Sequence, residues 1–399
     1  MNVAGSLVPL RVRFFVKRFS LIHKPLRWLN RMALPALARW FLDGVRAVVP
    51  TSWNIGLPRG VFSALHEVES GPDEGRVILL DQGSPRLPSP SVMVLCNRQQ
   101  HREQPWPIFW RRHKGARLIG ESLVHMNAER KICAEAAYGK DRAYGDPAYF
   151  HFALKPLRLD GCWTSIISRF SPNHGAQTYA HWLLDALPRL ALLCEFPADT
   201  QVLIPPHRLP YQTQSLEMLG LLARCRPTAE RDLRVEDYFF SSPTSMIVCH
   251  NPYAAQFLRR SFLRVTRAGA ATPPRFFVRR TSLGRNMVNE QEVLELFAKL
   301  GWTIIDTAQM SFLHQIEFFA NAEAICAIHG SATANIVWCS AGCKVIELFA
   351  DGYLAGDQEW IAQCVDVDYH FMVFASDHRF NACVDVPQLE EKLAGLGLM

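Results

Sequence analysis

The sequence predicts an α/β fold in which parallel strands are covered by helices. Beyond residue 275, short apolar runs alternate with amphipathic helical segments in the order β-α-β-α-β-α-β. The connections between these segments are short, as in parallel sheets with crossover helices. The composition, 49% hydrophobic and 20% charged over 399 residues, is that of a globular protein with two or three domains.

The first 46 residues differ from the rest of the chain in charge. They hold nine Lys or Arg and one Asp, a net charge of +8, so the other 353 residues carry −2 of the total of +6. Aromatic side chains such as Phe14, Trp28 and Trp40 alternate with these bases. This mixture favours an anchor on an anionic membrane surface. The other interpretations are an arm that packs on the protein, a disordered arm, or an arm that leads a lipid- or nucleic-acid-binding protein. The slightly acidic body argues against a nucleic-acid partner.

Cysteine usage and hydropathy indicate a cytoplasmic protein. The eleven cysteines lie at irregular spacings between Cys96 and Cys383, which predicts no disulfide framework and fits a reducing compartment. No apolar run reaches the roughly 18 residues of a membrane span. The first apolar stretch, residues 3–10, precedes the bases instead of following them, unlike a secretory signal.

Residues 47–268 are predicted to form an N-terminal domain with a less regular pattern. Residues 77–80 and 202–204 predict short strands, 83–90 a loop, 211–222 and 253–267 helices, and 269–274 a linker.

A helix is also predicted over residues 182–194, where leucines recur at helical spacing around Pro188. His181 and Asp185 stand four residues apart, so a continuous helix would place them on one face. There the carboxylate could orient the imidazole as a general base. If the helix begins at Pro188 instead, Asp185 caps it and His181 is merely packed. The pattern leaves both possibilities open, and also which of the two residues would be the base.

Residues 275–399 are predicted to form a C-terminal domain. Strands are expected at 276–278, 302–305, 324–328 and 344–349. Asn289 and Glu292 have the spacing of a capping box before a helix that ends at Gly301. Ser311 is expected to cap a second helix, and residues 332–338 predict a third.

Cationic groups follow the first of these strands. Arg279 and Arg280 come directly after it, and Arg285 and Asn286 lie in the next loop. Ligands of parallel sheets bind at the carboxyl ends of strands, and arginines there can hold a diphosphate through forked hydrogen bonds. The alternative is a solvated basic loop.

Two further strand ends carry polar groups. The turn His329, Gly330, Ser331 separates a buried strand from a helix, and the amides of such a helix start attract anions. The alternative is an ordinary turn. Glu347 ends an apolar strand, where a carboxylate needs a partner. A ribose diol is one candidate partner, and a buried arginine is the other.

The patterns that suggest metals or cofactors are weak. Asp366 and Asp368 have the spacing of a metal-diphosphate motif but lie in an alternating, strand-like run. Cys339 and Cys343 have no second cysteine pair with zinc-ligand spacing. Neither a GxGxxG fingerprint nor a Walker loop is present in the sequence. We therefore predict no metal site and no cofactor.

In combination, these pieces resemble glycosyltransferase family 61. The resemblance is carried by the segment 181–189 (HWLLDALPR), 277–280 (FVRR), Asn289 with Glu290, 329–332 (HGSA), Asn335 and 342–347 (GCKVIE). It covers about residues 165–350 and is greatest to bacterial members linked to capsule and other surface polysaccharides.

The resemblance implies a GT-B architecture, in which two Rossmann-like domains with parallel sheets face a cleft. It implies a nucleotide-sugar donor, a glycan or glycolipid acceptor, inversion at the anomeric carbon and no essential metal. The implied donor site comprises Arg279, Arg280, Arg285, Asn286, His329, Gly330, Ser331, Asn335 and Glu347, and the implied catalytic residues are His181 and Asp185. We expect an enzyme peripheral to the inner membrane. The alternative is a non-catalytic glycan- or nucleotide-binding protein of the same fold.

Overall fold

A computed structural model describes residues 60–70, 74–78, 107–127, 129–137, 156–168, 178–206, 208–246, 249–266, 272–281 and 284–399. The basic arm 1–46 and the loop 83–90 lie outside these ranges. Within the described ranges, no helix combines the length and the apolar character that crossing a bilayer requires.

The first half of the chain folds around a mixed sheet, nine-stranded over the described residues. Its strands are β1 (Gly60–Phe62), β2 (Gly75–Ile78), β3 (Ile108–Ile119), β4 (Val124–Met126), β5 (Lys131–Cys133), β6 (Leu157–Ser165), β7 (Gln201–Ile204), β8 (Cys225–Pro227) and β9 (Asp232–Ser241). The order is β1-β5-β4-β3-β9-β6-β7-β8, with β2 beside β3. The long central strands β3 and β9 are antiparallel, whereas β9, β6, β7 and β8 are parallel. The parallel sheet expected for this half is therefore only part of a mixed one.

Helices of the first half cover this sheet. They are α1 (Ala64–Ser70), α2 (residues 179–195), α3 (Pro210–Met218) and α4 (Pro252–Phe262). Short 3₁₀ turns occupy Glu135–Ala137, Leu222–Arg224 and Leu263–Val265, and a hairpin joins β10 (Ser245–Met246) to β11 (Cys249–His250). The predicted strand at 202–204 is confirmed. The helices predicted over 211–222 and 253–267 are confirmed with earlier ends.

The second half contains a five-stranded sheet that is parallel throughout. Its strands are β12 (Arg275–Val278), β13 (Thr303–Ile305), β14 (Ala324–Ile328), β15 (Lys344–Ala350) and β16 (Asp368–Phe374), in the order β13-β12-β14-β15-β16. The helices are α5 (Glu290–Lys299), α6 (Phe312–Ala320), α7 (Asp357–Val365) and α8 (Val386–Gly395), with 3₁₀ helices at Thr307–Gln309 and Ser331–Trp338. The predicted α/β pattern of this half is confirmed.

The two predicted helix caps have different outcomes. Ser311 caps α6, since its hydroxyl accepts a hydrogen bond from the backbone N–H of His314 (3.2 Å). Asn289 makes no side-chain capping bond to the backbone of α5, and its Nδ2 donates to the Glu292 carboxylate at 3.0 Å. Its side chain also binds the backbone of Val384: Nδ2 donates to the carbonyl (2.8 Å), and Oδ1 accepts from the N–H (3.0 Å). Asn289 therefore ties the start of α5 to the segment that leads into α8.

A shared core joins the two halves. Phe262 of α4 packs edge-on against Phe312 (5.2 Å between ring centroids) and against Trp338 (5.7 Å). All three side chains are fully buried, and burying one such side chain stabilises a fold by about 1.5–3 kcal/mol. Arg259 adds hydrogen bonds to the carbonyls of Val337 and Cys339 at 2.8 and 2.7 Å. The 3₁₀ helix Ser331–Trp338 is thereby fixed against the first half of the chain.

Candidate functional site

The order of the parallel sheet creates a crevice at one edge. From β12 the chain crosses to β13 on one side and then returns to β14 on the other side. The carboxyl ends of β12 and β14 therefore diverge at a topological switch point, where open α/β sheets bind ligands. Arg279 and Arg280 directly follow β12, and His329 and Gly330 directly follow β14. The structure thus brings together two of the strand ends that the sequence singled out.

Arg280 bridges the two strand ends. Its Nη1 donates to the carbonyl of His329 (3.2 Å), and its Nε donates to the carbonyl of Gly284 (3.3 Å). A Cβ atom at Gly330 would lie 1.9 Å from Nη1, so only glycine permits this approach. Burial and the neighbouring Arg285 lower the pKa of Arg280 to about 10. The guanidinium therefore stays charged at neutral pH.

Arg285 extends the positive surface of this crevice. Its guanidinium lies 4.4 Å from the ring centroid of Tyr353, within cation–π range. Tyr353 in turn packs against His329, with 5.6 Å between the ring centroids. Arg285 adopts a left-handed backbone conformation (φ 57°), which is uncommon for a residue with a side chain. The loop after β12 thus places a second cation beside the first.

Arg279 lies at the protein surface, outside the crevice. It is exposed and forms a forked ion pair with Glu290, the first residue of α5, with both N–O distances 3.0 Å. Successive side chains of an extended segment point to opposite sides, which accounts for the divergence from Arg280. Because Arg279 is already paired at the surface, the structure gives it less support as a donor ligand than Arg280.

Glu347 lies beneath the crevice without any exposed surface. Its Oε1 is 2.9 Å from Nδ1 of His329, and its Oε2 accepts a hydrogen bond from the hydroxyl of Tyr369. Both predicted alternatives, a ribose diol and an arginine, differ from this arrangement. A carboxylate with no exposed surface and two protein partners does not reach a ribose. Its partners are a histidine and a tyrosine.

Asn335 also differs from its implied donor-binding role. It is fully buried, and its Oδ1 accepts from the Tyr179 hydroxyl (2.5 Å) and from Nε1 of Trp338 (3.0 Å). Its Nδ2 donates to Oε1 of Gln315 (2.9 Å). These bonds connect α2 with the second half of the chain and leave the side chain with no surface for a ligand.

Ser331 and Asn286 are both half-buried at the rim of the crevice. Ser331 is the first residue of the 3₁₀ helix after Gly330. The backbone N–H of Asn286 donates to Oδ1 of Asn381 (2.9 Å), which joins the loop after β12 to the segment before α8. Their proposed contacts with a ligand stay predictions.

Helix α2 runs without interruption past Pro188. An α-helical turn (Tyr179–His181) leads into a π-helical segment (Trp182–Ala186) and then a 3₁₀ segment (Leu187–Glu195). The widened π segment precedes Pro188, which has no N–H to donate to the preceding turn. Since the helix already includes His181 and the 3₁₀ segment is capped at Ala186, Asp185 is not the helix cap of the alternative interpretation.

His181 and Asp185 differ in burial. His181 is half-buried, whereas Asp185 has no exposed surface and accepts a hydrogen bond from the Ser168 hydroxyl (2.8 Å). The hydrogen bond from Tyr179 to Asn335 fixes the start of α2 against the 3₁₀ helix that follows His329. His181 therefore lies near the junction with the crevice, and Asp185 lies deeper in the first half.

Two further ionisable residues, Asp357 and His250, interact electrostatically with His181, which the sequence did not reveal. Burial raises the pKa of Asp357, and the charges that act on it include those of His329, Glu347 and His181. Burial and the nearby His181 lower the pKa of His250 to about 3. Together with the hydrogen bond from Tyr179 to Asn335, these interactions indicate that both halves of the chain contribute to one polar region. Asp357 and His250 belong to α7 and β11, whose packing only the fold reveals.

Comparison with known families gives one match. Residues 179–346 match the model of the family described as glycosyltransferase 61. This part of the chain is similar to glycosyltransferase family 61. The resemblance to this family that the sequence suggested is thereby confirmed over the matched residues, and glycosyl transfer is the activity that the family suggests. The match begins in α2 and ends in β15, so it spans both sides of the polar region. A comparison with curated proteins gives no match.

The candidate metal ligands are placed apart from this site. Asp366 ends α7 in a left-handed conformation (φ 59°), and Asp368 pairs with Nε2 of His370 at 3.0 Å. Over the described residues, no three His, Cys, Asp or Glu side chains are grouped so as to hold a metal ion.

Proposed function

We propose that the protein is an inverting glycosyltransferase that moves a sugar from a nucleotide-sugar donor to a glycan or glycolipid acceptor. The observation that carries this proposal is the cationic crevice that Arg280 and His329 form at the β12–β14 switch point. The start of α2 is hydrogen-bonded to the 3₁₀ helix that follows His329, and both lie in the family-matched segment. A GT-B arrangement, in which the two sheets belong to domains on either side of a cleft, is part of the proposal.

The donor diphosphate is proposed to bind in the crevice. Arg280 and Arg285 supply positive charge, and the turn at Gly330 and Ser331 offers the amides that start a 3₁₀ helix. These groups face the bond between sugar and diphosphate, where negative charge grows on the departing oxygen. Because they supply that stabilisation from the protein, the reaction is proposed to be independent of a metal ion.

The transfer is a single displacement. The acceptor hydroxyl oxygen bonds to the anomeric carbon while the bond from that carbon to the diphosphate oxygen breaks, and its electron pair leaves with the diphosphate. The hydroxyl proton passes to a general base. We assign this role to His181, because it keeps exposed surface near the crevice, whereas the buried Asp185 supports α2 through Ser168.

The biological setting is proposed from the sequence. The resemblance to bacterial members of the family suggests the synthesis of capsule or another surface polysaccharide. The basic, aromatic residues 1–46 would hold the enzyme at the cytoplasmic face of the inner membrane, where a glycolipid acceptor is available. This arm lies outside the described residues, so the sequence alone supports its role.

A two-stage assay tests the proposed function. Nucleotide sugars with different bases and sugars are first screened for a rise in melting temperature, and those that stabilise the protein are then tested for release of the nucleoside diphosphate. We expect one donor class to stabilise the protein and to be turned over. Stabilisation without turnover in the presence of mixed glycan and glycolipid acceptors would favour the non-catalytic alternative. The absence of any binding would contradict both.

A further inference from the structure

Glu347 is an ionisable group in an otherwise apolar strand, and both of its oxygens have partners. Oε1 lies 2.9 Å from Nδ1 of His329, and Oε2 accepts the hydrogen bond of the Tyr369 hydroxyl. A buried carboxylate is costly unless it is paired and hydrogen-bonded. The two partners therefore account for how the fold tolerates Glu347, and they connect it to the one histidine that follows β14.

These three residues belong to neighbouring strands or their ends. His329 follows β14, Glu347 lies in β15 and Tyr369 lies in β16. Tyr369 is paired with Val345, two residues before Glu347, so Tyr369 and Glu347 are diagonal neighbours on one face of the sheet. Burial, followed by the Glu347 charge, raises the pKa of Tyr369 well above its usual value. The hydroxyl thus keeps its proton and acts as the donor.

We propose that Glu347 and Tyr369 are positioning residues that fix the orientation and tautomer of His329, so that its Nε2 faces the donor diphosphate. Tyr369 holds one carboxylate oxygen, the other oxygen accepts the proton on Nδ1 of His329, and Nε2 is left as the functional nitrogen. The identity of the ligand rests on the proposed function, whereas the tautomer rests on the contacts of the three side chains alone.

The surroundings of the His329 ring leave little room for another orientation. Phe349 stacks on one face (4.7 Å between centroids, 20° between planes), and Tyr353 packs against the ring at 5.6 Å. Arg280 holds the backbone carbonyl of the same residue. The side chain keeps 7% of its surface exposed, and Nε2 has no protein partner within the described part of the chain. The nitrogen opposite Glu347 is therefore the one available to a ligand in the crevice.

In this arrangement Glu347 is not a donor ligand, as the family resemblance implied, but a positioning residue. The carboxylate acts through His329 and does not touch the donor, because it has no exposed surface. With one proton already on Nδ1, Nε2 takes up a second proton from solvent and then donates a hydrogen bond to a phosphate oxygen as charge develops there, and the Glu347 carboxylate balances the resulting imidazolium. The proton returns to solvent when the diphosphate leaves.

The test measures the tautomer of His329 directly. Long-range ¹H–¹⁵N correlations of ¹⁵N-histidine-labelled full-length protein distinguish a proton on Nδ1 from one on Nε2, and His329→Gln assigns the signal among the 14 histidines. Glu347→Gln and Tyr369→Phe are compared with wild type. Tyr179→Phe is the matched control for the tautomer signal, because it removes a buried tyrosine hydrogen bond elsewhere in the molecule, between α2 and Asn335, without touching Glu347. Binding of UDP, GDP, CDP and dTDP and turnover are measured in parallel.

We expect wild type and Tyr179→Phe to carry the proton on Nδ1, and Glu347→Gln to lose this signature. Glu347→Gln should lower kcat by at least about tenfold, as loss of an orienting group does, with a smaller change in KM. Tyr369→Phe should show both effects more weakly, and it tests the proposal if Glu347→Gln fails to fold.

An unchanged His329 signature and an unchanged kcat in both variants would overturn the proposal and leave a purely structural ion pair. A wild-type protein that binds none of the four nucleotides contradicts the proposed function instead, and the tautomer measurement then still decides the positioning role.

Discussion

Arg279 and Arg280 are consecutive residues after β12, yet their side chains face different surroundings. Arg280 binds the carbonyls of His329 and Gly284 within the crevice, whereas Arg279 pairs with Glu290 at the surface. Arg280→Ala is therefore expected to weaken binding of the cognate nucleoside diphosphate by more than tenfold, about 1.4 kcal/mol. Arg279→Ala should change this affinity by less than about twofold, because Arg279 pairs with Glu290 at the surface, and losing such an exposed ion pair has little energetic effect. Calorimetric titration of both variants checks this, and equal effects would remove the distinction between the two arginines.

Gly330 offers a second test at the scale of a single residue. Its backbone is extended (φ 173°), a conformation open to any residue, so an added methyl group introduces no backbone strain. The new Cβ would instead displace the Arg280 guanidinium, whose Nη1 lies 1.9 Å from its position. Gly330→Ala is expected to lower diphosphate affinity at least about tenfold with a nearly unchanged melting temperature.

Gly395→Ala is the control for this substitution, since a Cβ there meets no atom within 4 Å. Calorimetry and thermal melting of the two variants separate loss of binding from loss of fold. A Gly330→Ala protein with wild-type affinity would show that Arg280 can move without consequence, and would weaken its role in the site.

Helix α2 carries both candidate catalytic residues: His181, the proposed general base, and Asp185 in the π-helical segment. His181→Ala is expected to lower kcat by about 10²-fold, as loss of a general base does, with donor affinity and melting temperature nearly unchanged. Asp185→Asn should instead cost about 1–3 kcal/mol of stability, because it disturbs a buried hydrogen-bonded carboxylate. Turnover numbers and melting curves of both variants separate the roles. A larger loss of kcat in Asp185→Asn than in His181→Ala would reverse the assignment.

The elements of the second half follow from local sequence, whereas the long central strands of the first half do not. Strands β12, β14 and β15 are short apolar runs that are buried on both faces, so their boundaries are visible in the sequence. The strands β3 and β9 are joined by nine residue pairs whose members lie at least 113 positions apart in the chain, and Gly115 interrupts their alternation with a left-handed conformation (φ 61°). Pairing at such distance depends on the tertiary fold.

The same limit applies to the site. Arg280, His329 and Gly330 are recognisable because each follows an apolar strand. The contact of Glu347 with Tyr369 is not recognisable from the sequence, because it depends on the register between β15 and β16. Asn335 shows the converse: its position in a family motif suggests a ligand, and only its three-dimensional contacts identify a junction between the two halves.

At the scale of the whole molecule, the distribution of charge bears on the need for a metal. The cations Arg280 and Arg285 lie together at the crevice, while Asp366 ends a helix and Asp368 pairs with His370. We expect turnover to survive excess EDTA, because protein cations neutralise the leaving diphosphate. Turnover assays with and without EDTA, and with Asp368→Asn as a control, check this. Loss of activity with EDTA and recovery with Mn²⁺ would contradict the metal-independent mechanism.

Buried neutral histidines should make the stability of the whole molecule depend on pH. Burial, and then Arg111, lowers the pKa of His113 to about 4, and burial with His181 lowers that of His250 to about 3. In the unfolded chain both titrate near 6.5. Between these values the unfolded state binds more protons, so stability is present above pH 6.5 and is lost as the pH falls below it.

Each of these two histidines should remove about 2 kcal/mol of unfolding free energy between pH 7 and pH 5. His113→Phe abolishes one titration and keeps an aromatic ring beside His125 and Phe62. It should therefore reduce the stability loss over this pH range by about 2 kcal/mol relative to wild type. His314→Gln, at an exposed position, should leave the loss unchanged. Urea denaturation at pH 7 and pH 5 measures the difference, and parallel losses in wild type and His113→Phe would show that His113 already titrates normally in the folded protein.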